Sequence, residues 1–163
     1  MRFSIFFGLA AATVAFYVAV SNAATAADPL ADGQAAYQRG DYASAARFLP
    51  PLAAAGNPSA QATLGMMYNQ GAGVVQDFQQ AMKWWKLAAA QGNALAQINL
   101  GLRYSVTQDF VRAGMWLNVA GAQGYPRADE FWSAVAVRMT KDQIAQAQAL
   151  ARICIASHFK QCD

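Results

Sequence analysis

The chain has 163 residues, of which 56% are apolar and 13% charged. That is ample material for the core of one domain and too short a chain for a second full one. The formal net charge of +3 is spread without a Lys or Arg cluster, which argues against a nucleic-acid surface.

Met1 and Arg2 precede an uncharged apolar run from Phe3 to Val20, followed by the small residues Ser21-Asn22-Ala23-Ala24-Thr25-Ala26-Ala27. This is the layout of a secretory signal peptide over residues 1–26. Ala24 and Ala26 supply the small residues that cleavage needs, and so do Ser21 and Ala23. The mature chain is therefore expected to begin at Ala27, or else at Ala24. The alternative is an uncleaved anchor, because the run reaches the lower edge of the roughly 18 to 20 residues that span a bilayer. Membrane contact is expected only through this segment, and only if it stays uncleaved. No Cys follows the run, so a lipid-anchored amino terminus is not indicated. The expected location is the periplasm of a Gram-negative bacterium or the exterior, away from DNA and RNA.

Residues 30–57 read as a degenerate first repeat unit. Its Gly40-Asp41-Tyr42, Ala45, Phe48, Ala53 and Gly56-Asn57 fall 36 residues before Gln76-Asp77-Phe78, Ala81, Trp84, Ala89 and Gly92-Asn93. Pro50-Pro51 interrupts the second helix of this unit and should kink or shorten it.

Residues 58–93 form the complete unit. Asn57 is a good helix cap and Pro58 brings a preset φ to the first turn. Ala60, Leu64 and Tyr68 follow i, i+4, i+8 spacing, with Met67 beside them, which gives an apolar stripe. Gly71-Ala72-Gly73-Val74 lets the chain reverse. Asp77 then caps a second helix in which Phe78, Ala81, Trp85, Ala88 and Ala89 share a face, and Gly92 ends it. Small and bulky residues in alternation let rings on one helix fill gaps on the next.

Residues 94–124 repeat the pattern in shortened form. Asn57 to Tyr68 line up with Asn93 to Tyr104 at an offset of 36, whereas Gln76-Asp77-Phe78 recurs as Gln108-Asp109-Phe110 at an offset of 32. The lost four residues lie between Tyr104 and Gln108, in a loop, where deletions are tolerated. Gly65 and Gly101 sit inside helices, where each should cost about 0.8 to 1 kcal/mol relative to Ala. Such a cost points to close contact between helix backbones.

After Gly124 the period is lost. Capping helices are expected over about 126–158. Pro126 to Val137 reads as one helix, and Thr140-Lys141-Asp142-Gln143 has the spacing of a capping box that opens another. Ile144, Ala147, Ala151 and Ile155 give the latter an apolar face.

The residues Leu64-Gly65-x-x-Tyr68, Gly71-x-Gly73-Val74, Asp77, Ala81, Trp84-Trp85, Ala88-Ala89 and Gly92-Asn93 resemble the Sel-one-like repeat, a relative of the tetratricopeptide repeat. The stretch from Arg138 to Ala151 also looks like the ending of small exported bacterial members. The resemblance implies an all-α fold over residues 27–163: a short right-handed α-solenoid of helix-turn-helix repeats with a C-terminal capping helix pair. It further implies an adaptor or assembly factor in the bacterial cell envelope, with a protein or peptide partner and no catalytic motif. The second unit departs from the family pattern. It lacks the Gly-x-Gly-Val turn, and Gly114 and Gly121 replace residues that would support its helix.

Groups for chemistry are sparse: one His, nine acidic residues and no Ser in a nucleophile-elbow pattern. Asp129-Glu130 is the one acidic pair, and adjacent helical residues point about 100° apart. A solvated face or favourable charge at a helix start is the simpler reading. Gly71-x-Gly73 is a turn, since no strand precedes it and no Lys follows as a phosphate loop requires. Trp84 and Trp85 beside Lys83 and Lys86 could stack on sugars or bases, but a core stripe is the plainer reading.

Cys154, His158 and Cys162 are spaced i, i+4, i+8. On an unbroken helix the two thiols would stand about 12 Å apart along the axis, too far for one metal ion or for a disulfide. Either bond needs a break near Ser157 or His158. An oxidising periplasm then favours a Cys154–Cys162 disulfide; free or intermolecular thiols and a metal site stay open. No metal, catalytic residue or small-molecule cofactor is expected. Binding is expected on the first helix of each unit, with Thr63, Met67, Asn69, Asn99 and Arg103 as contributors chosen for lying on or beside exposed faces. The competing readings are an enzyme or regulator acting on envelope polymers such as peptidoglycan, and a self-associating structural protein.

Overall fold

Nearly every helix starts at a side-chain cap that the sequence supplies. The computed structural model describes residues 28–162; the signal-peptide reading of residues 1–26 lies outside them. Asp28 opens α1 (Pro29–Gln38), Asp41 opens α2 (Tyr42–Ala54) and Asn57 opens α3 (Pro58–Gln70). Asp77 opens α4 (Phe78–Ala89), Asn93 opens α5 (Ala94–Val106) and Asp109 opens α6 (Phe110–Ala122). In all six, a side-chain oxygen accepts a hydrogen bond from a backbone N–H that the first turn would otherwise leave unpaired. α7 (Ala128–Ala136) has no such cap, while α8 (Lys141–Ala156) begins at the expected capping box between Thr140 and Gln143. Among the described residues there are eight helices and no strand.

The helices form an α-solenoid. α1 packs on α2, α3 on α4 and α5 on α6, and the pairs stack through α2 on α3 and α4 on α5. α7 packs on α6 and touches α5; α8 also packs on α6, so the two closing helices share one neighbour instead of forming a hairpin with each other.

The glycines inside helices mark where this packing is tightest. At Gly65 a Cβ would meet the Trp85 indole, with Cδ1 only 2.5 Å away, and at Gly101 it would lie 2.7 Å from Leu117 Cγ. Close approach is as expected, although at Gly65 the neighbour is a ring, not a backbone. Gly114 and Gly121 leave α6 a regular helix. At Gly114 a Cβ would come within 2.5 Å of the Trp132 ring and 3.1 Å of Ala147 Cβ, so its missing side chain is what admits both α7 and α8.

The fold absorbs two local departures from regular backbone, one inside a helix and one in a turn. Pro50-Pro51 does not shorten α2, which runs to Ala54. Leu49 and Ala53, 0% and 1% exposed on either side of the prolines, hold the last turn in place by burial. In the shortened unit the reversal passes through Gln108, whose φ of 64° is left-handed without the benefit of glycine.

A second device joins successive units. Gln61, 4% exposed, donates from Nε2 to the Ala53 carbonyl at 3.0 Å, and its oxygen accepts from Gln91 Nε2 at 2.9 Å. Gln97, 0% exposed, repeats this: it donates to the Ala89 carbonyl at 3.3 Å and accepts from Gln123. Each buried glutamine thus bonds back to the end of the previous unit's second helix and forward to its own.

At the carboxyl end α8 stops at Ala156, and His158 and Phe159 take left-handed φ values of 53° and 64°. The chain turns back so that Cys154 and Cys162 stand 4.6 Å apart at Cα and form a disulfide. Phe159 lies over the turn after α4, where a Cβ on Gly92 would meet its ring at 3.0 Å. Reduction is expected to lower stability by about 2 kcal/mol, the low end for so short a loop. Thermal unfolding with and without reductant checks this; coincident curves would show that the bridge contributes nothing.

Candidate binding surface

Of the five positions expected to contribute to binding, three share one depression. Asn69 from α3, together with Asn99 and Arg103 from α5, lines a hollow of about 300 Å³ with Phe78, Leu102 and Val106. Thr63 and Met67 do not belong to it. They are 4% and 0% exposed. Thr63 Oγ1 donates to the Ser59 carbonyl within its own helix at 3.0 Å, and Met67 packs with Leu49, Ala60 and Leu64. The reason is that α3 has α2 and α4 packed on it and touches α1 and α5 as well, so it buries several sides rather than one stripe.

The centre of the surface is a stacked pair. The Arg103 guanidinium carbon lies 3.8 Å from the centroid of the Phe78 ring, a close cation–π contact. Phe78 is the first residue of α4, directly after its Asp77 cap, and Arg103 sits in the last turn of α5, where a cation suits the helix dipole. Phe78 was expected on the buried face with Ala81 and Trp85. It is 38% exposed instead, because it opens the helix a turn ahead of Ala81, and the cover it has comes from Arg103. Leu102 and Val106 flank the pair as exposed apolar side chains.

Polar groups around this ridge are partly engaged. Asn99 Nδ2 donates to the Leu95 carbonyl at 2.8 Å, and the Asn69 carbonyl accepts from Gln76 at 2.9 Å. A second hollow of about 300 Å³, lined by Gln79, Met82, Lys86, Tyr104 and Thr107, also includes Phe78 and Arg103. The stacked pair is therefore the ridge between two depressions. Sequence reasoning found Arg103 but missed Phe78 as a surface residue, along with Leu102 and Val106. The available signal was position: Phe78 opens its helix and Val106 closes its own.

The remaining chemistry-bearing residues are engaged elsewhere. Glu130 pairs with Arg127 at 3.1 Å in the first turn of α7, and this hydrogen bond, then the Arg127 charge, holds its carboxyl below the usual range. Asp129 and Glu130 are thus exposed charges at a helix start. The Tyr37 phenol donates to Gln70 at 2.8 Å; burial first, then the neighbouring Tyr42, pushes its pKa up. Trp85 is 2% exposed and donates to the Ala62 carbonyl, and Trp84 is partly buried against the core of α1–α3, so both rings serve packing first. At Gly73 a Cβ would lie 2.5 Å from the Tyr42 carbonyl, which fixes this glycine as a close-packed turn.

The comparisons agree with this architecture. Residues 58–93 and 94–125 each match the model of the Sel1 repeat family. Among solved structures, the chain is similar to c5321, a protective antigen present in uropathogenic Escherichia coli strains that displays an SLR fold. Identity is 29% with a TM-score of 0.75, covering 83% of this chain and 32% of that one. It is also similar to a Sel1 repeat protein from Oxalobacter formigenes, at 31% identity and a TM-score of 0.59, covering 79% of this chain and 55% of that one. The chain thus spans less than two thirds of either relative. No curated protein matches it. Residues 58–125 are thus two Sel1 repeats, set in a solenoid that resembles the SLR fold of both solved structures.

Proposed function

We propose that the protein is an exported adaptor of the bacterial envelope that holds a protein segment across the Phe78–Arg103 ridge. Sel1-repeat proteins typically mediate protein–protein interaction and are generally non-enzymatic scaffolds. The observation that carries the reading here is the ridge itself: an aromatic ring under a guanidinium, flanked by exposed Leu102 and Val106 and bordered by Asn69 and Asn99. Aromatic and Arg anchors with a polar border are the composition of an interface centre. Export is supported by the layout of residues 1–26 and by the Cys154–Cys162 bridge, which suits an oxidising compartment.

A photo-crosslinking residue placed at Val106 is expected to capture a partner in cells, while the same residue at Val137 on the far closing segment captures none. Phe78→Ala combined with Arg103→Ala should weaken that partner by tenfold or more, since interface anchors of this kind are worth roughly 1 to 2 kcal/mol or more. Capture from Val137 alone, or capture at Val106 unaffected by the double change, would count against the ridge.

A further inference from the structure

We infer that the segment held by this surface is an acidic amphipathic helix of about three turns, lying along the outer face of α4; this rests on the peptide-binding reading above. α4 has two faces. Ala81, Trp85, Ala88 and Ala89 are buried inward. Gln79, Met82, Lys83, Lys86, Leu87 and Ala90 line a hollow of about 450 Å³ on the other side. Their spacing, i, i+3, i+4, i+7, i+8 and i+11, is that of a seam which receives the knobs of a second helix. Met82, Leu87 and Ala90 give this seam an apolar floor. Among the described residues, the helices that α4 packs against are α3 and α5, and no other helix packs on its outer seam.

The seam is continuous with the ridge, because Gln79, Met82 and Lys86 line both this hollow and the one beside Phe78 and Arg103. From Phe78 to Ala90 the rise is roughly 18 Å, the length of a helix of about twelve residues. Among the described residues there is no strand to extend, and the helical spacing of the seam suits a helix laid into a groove.

Charge selects the sign of the occupant. Between Asp77 and Asp109 the sequence has Lys83, Lys86 and Arg103 and no acidic residue. Both bordering carboxylates are engaged as caps: Asp77 accepts from Gln79 and Gln80, and Asp109 from Arg112. Arg103 and Lys83 have no carboxylate partner among the described residues. Placed over the Phe78 ring, the Arg103 guanidinium carries N–H donors suited to a two-pronged contact with a carboxylate. A second copy of this chain does not supply the complement. Its richest acidic helix in the described residues is α7, whose Asp129 and Glu130 are adjacent, with Glu130 already paired to Arg127.

The test uses fluorescent fourteen-residue helical peptides with Leu at seam spacing and Glu, Gln or Lys at the flanking positions, titrated into the full chain. The Glu peptide is expected to bind at least tenfold more tightly than the Gln peptide at low salt, with the gap closing as salt rises. Lys83→Glu should erase that preference, and Leu87→Ser should weaken both peptides; both positions are exposed, so circular dichroism should show an intact fold. Equal affinity for the Glu and Gln peptides would overturn the acidic occupant and leave the groove standing. Binding untouched by Leu87→Ser would overturn the α4 seam. If no peptide binds while Val106 still crosslinks to a partner, the helix inference fails alone; if crosslinking fails too, so does the adaptor reading.

Discussion

Replacing Gly65 with Ala should destabilise the protein by about 3 kcal/mol, although Ala is the better helix former by about 1 kcal/mol. The new Cβ would sit 2.5 Å from Trp85 Cδ1 and closer still to its Nε1. Trp85 is 2% exposed and bonded through Nε1 to the Ala62 carbonyl, so it has nowhere to swing. Overpacking of this kind costs up to about 3 kcal/mol, and displacing the indole also gives up its hydrogen bond, about 1 kcal/mol. The melting temperature should fall by roughly 10 °C. Gly121→Ala is the control, because there a Cβ meets only ordinary contacts, Asp129 Oδ1 at 3.4 Å and Ala128 Cβ at 3.5 Å. It should stabilise by about 0.5 to 1 kcal/mol. Opposite signs from one substitution in two helices would separate packing from propensity; a stabilising Gly65→Ala would remove the packing account.

The second large effect is expected at Gln97. Gln97→Leu keeps much of the volume but leaves the Ala89 carbonyl without its side-chain donor and Gln123 without its acceptor. Loss of buried hydrogen bonds with one partner left in place should cost about 3 kcal/mol. Gln61→Leu should do the same one unit earlier, through Ala53 and Gln91. Gln123→Leu, at an exposed position, should cost under about 1 kcal/mol. The Gln97→Leu, Gln123→Leu double change should then fall short of the sum, since the shared bond is lost only once. Denaturant titration reads all four. If Gln97→Leu stayed within about 0.5 kcal/mol of the parent, the glutamines would be passengers and not couplers.

Much of the fold was legible because its signals are local. Asn57, Asp77, Asn93 and Asp109 announce helices that begin one residue later, and the 36-residue match fixes which helix follows which. Gly65 and Gly101 were readable as tight contacts because glycine in a helix needs a reason, yet the sequence could not say that one contact was an indole. Gln61 and Gln97 fall on matched positions of the repeat. Their role stayed hidden because a glutamine in a single helix looks like surface, and only the stacked neighbour supplies the carbonyl that it answers. Thr63 and Met67 were misplaced for the same reason: one-helix periodicity assumes one neighbour, whereas α3 has several. Pro50-Pro51 misled in the other direction, since burial of Leu49 and Ala53 outweighs the missing donors.

α7 shows how such an array is brought to a halt. It rests on α6 and α5 as α5 rests on α4 and α3, which is the place of the first helix of a further unit. At the offset of 32 that relates Gln91 to Gln123, the position of Gln97 becomes Asp129, and that of the Ala89 carbonyl becomes Gly121. Gln97 bonds the Ala89 carbonyl through its amide N–H, and an aspartate side chain has no amide N–H. Asp129 stands beside Gly121 without that donor. It acts on the stack as a chain terminator acts on a growing polymer: it takes the incoming unit's seat but lacks the group needed to form the next link.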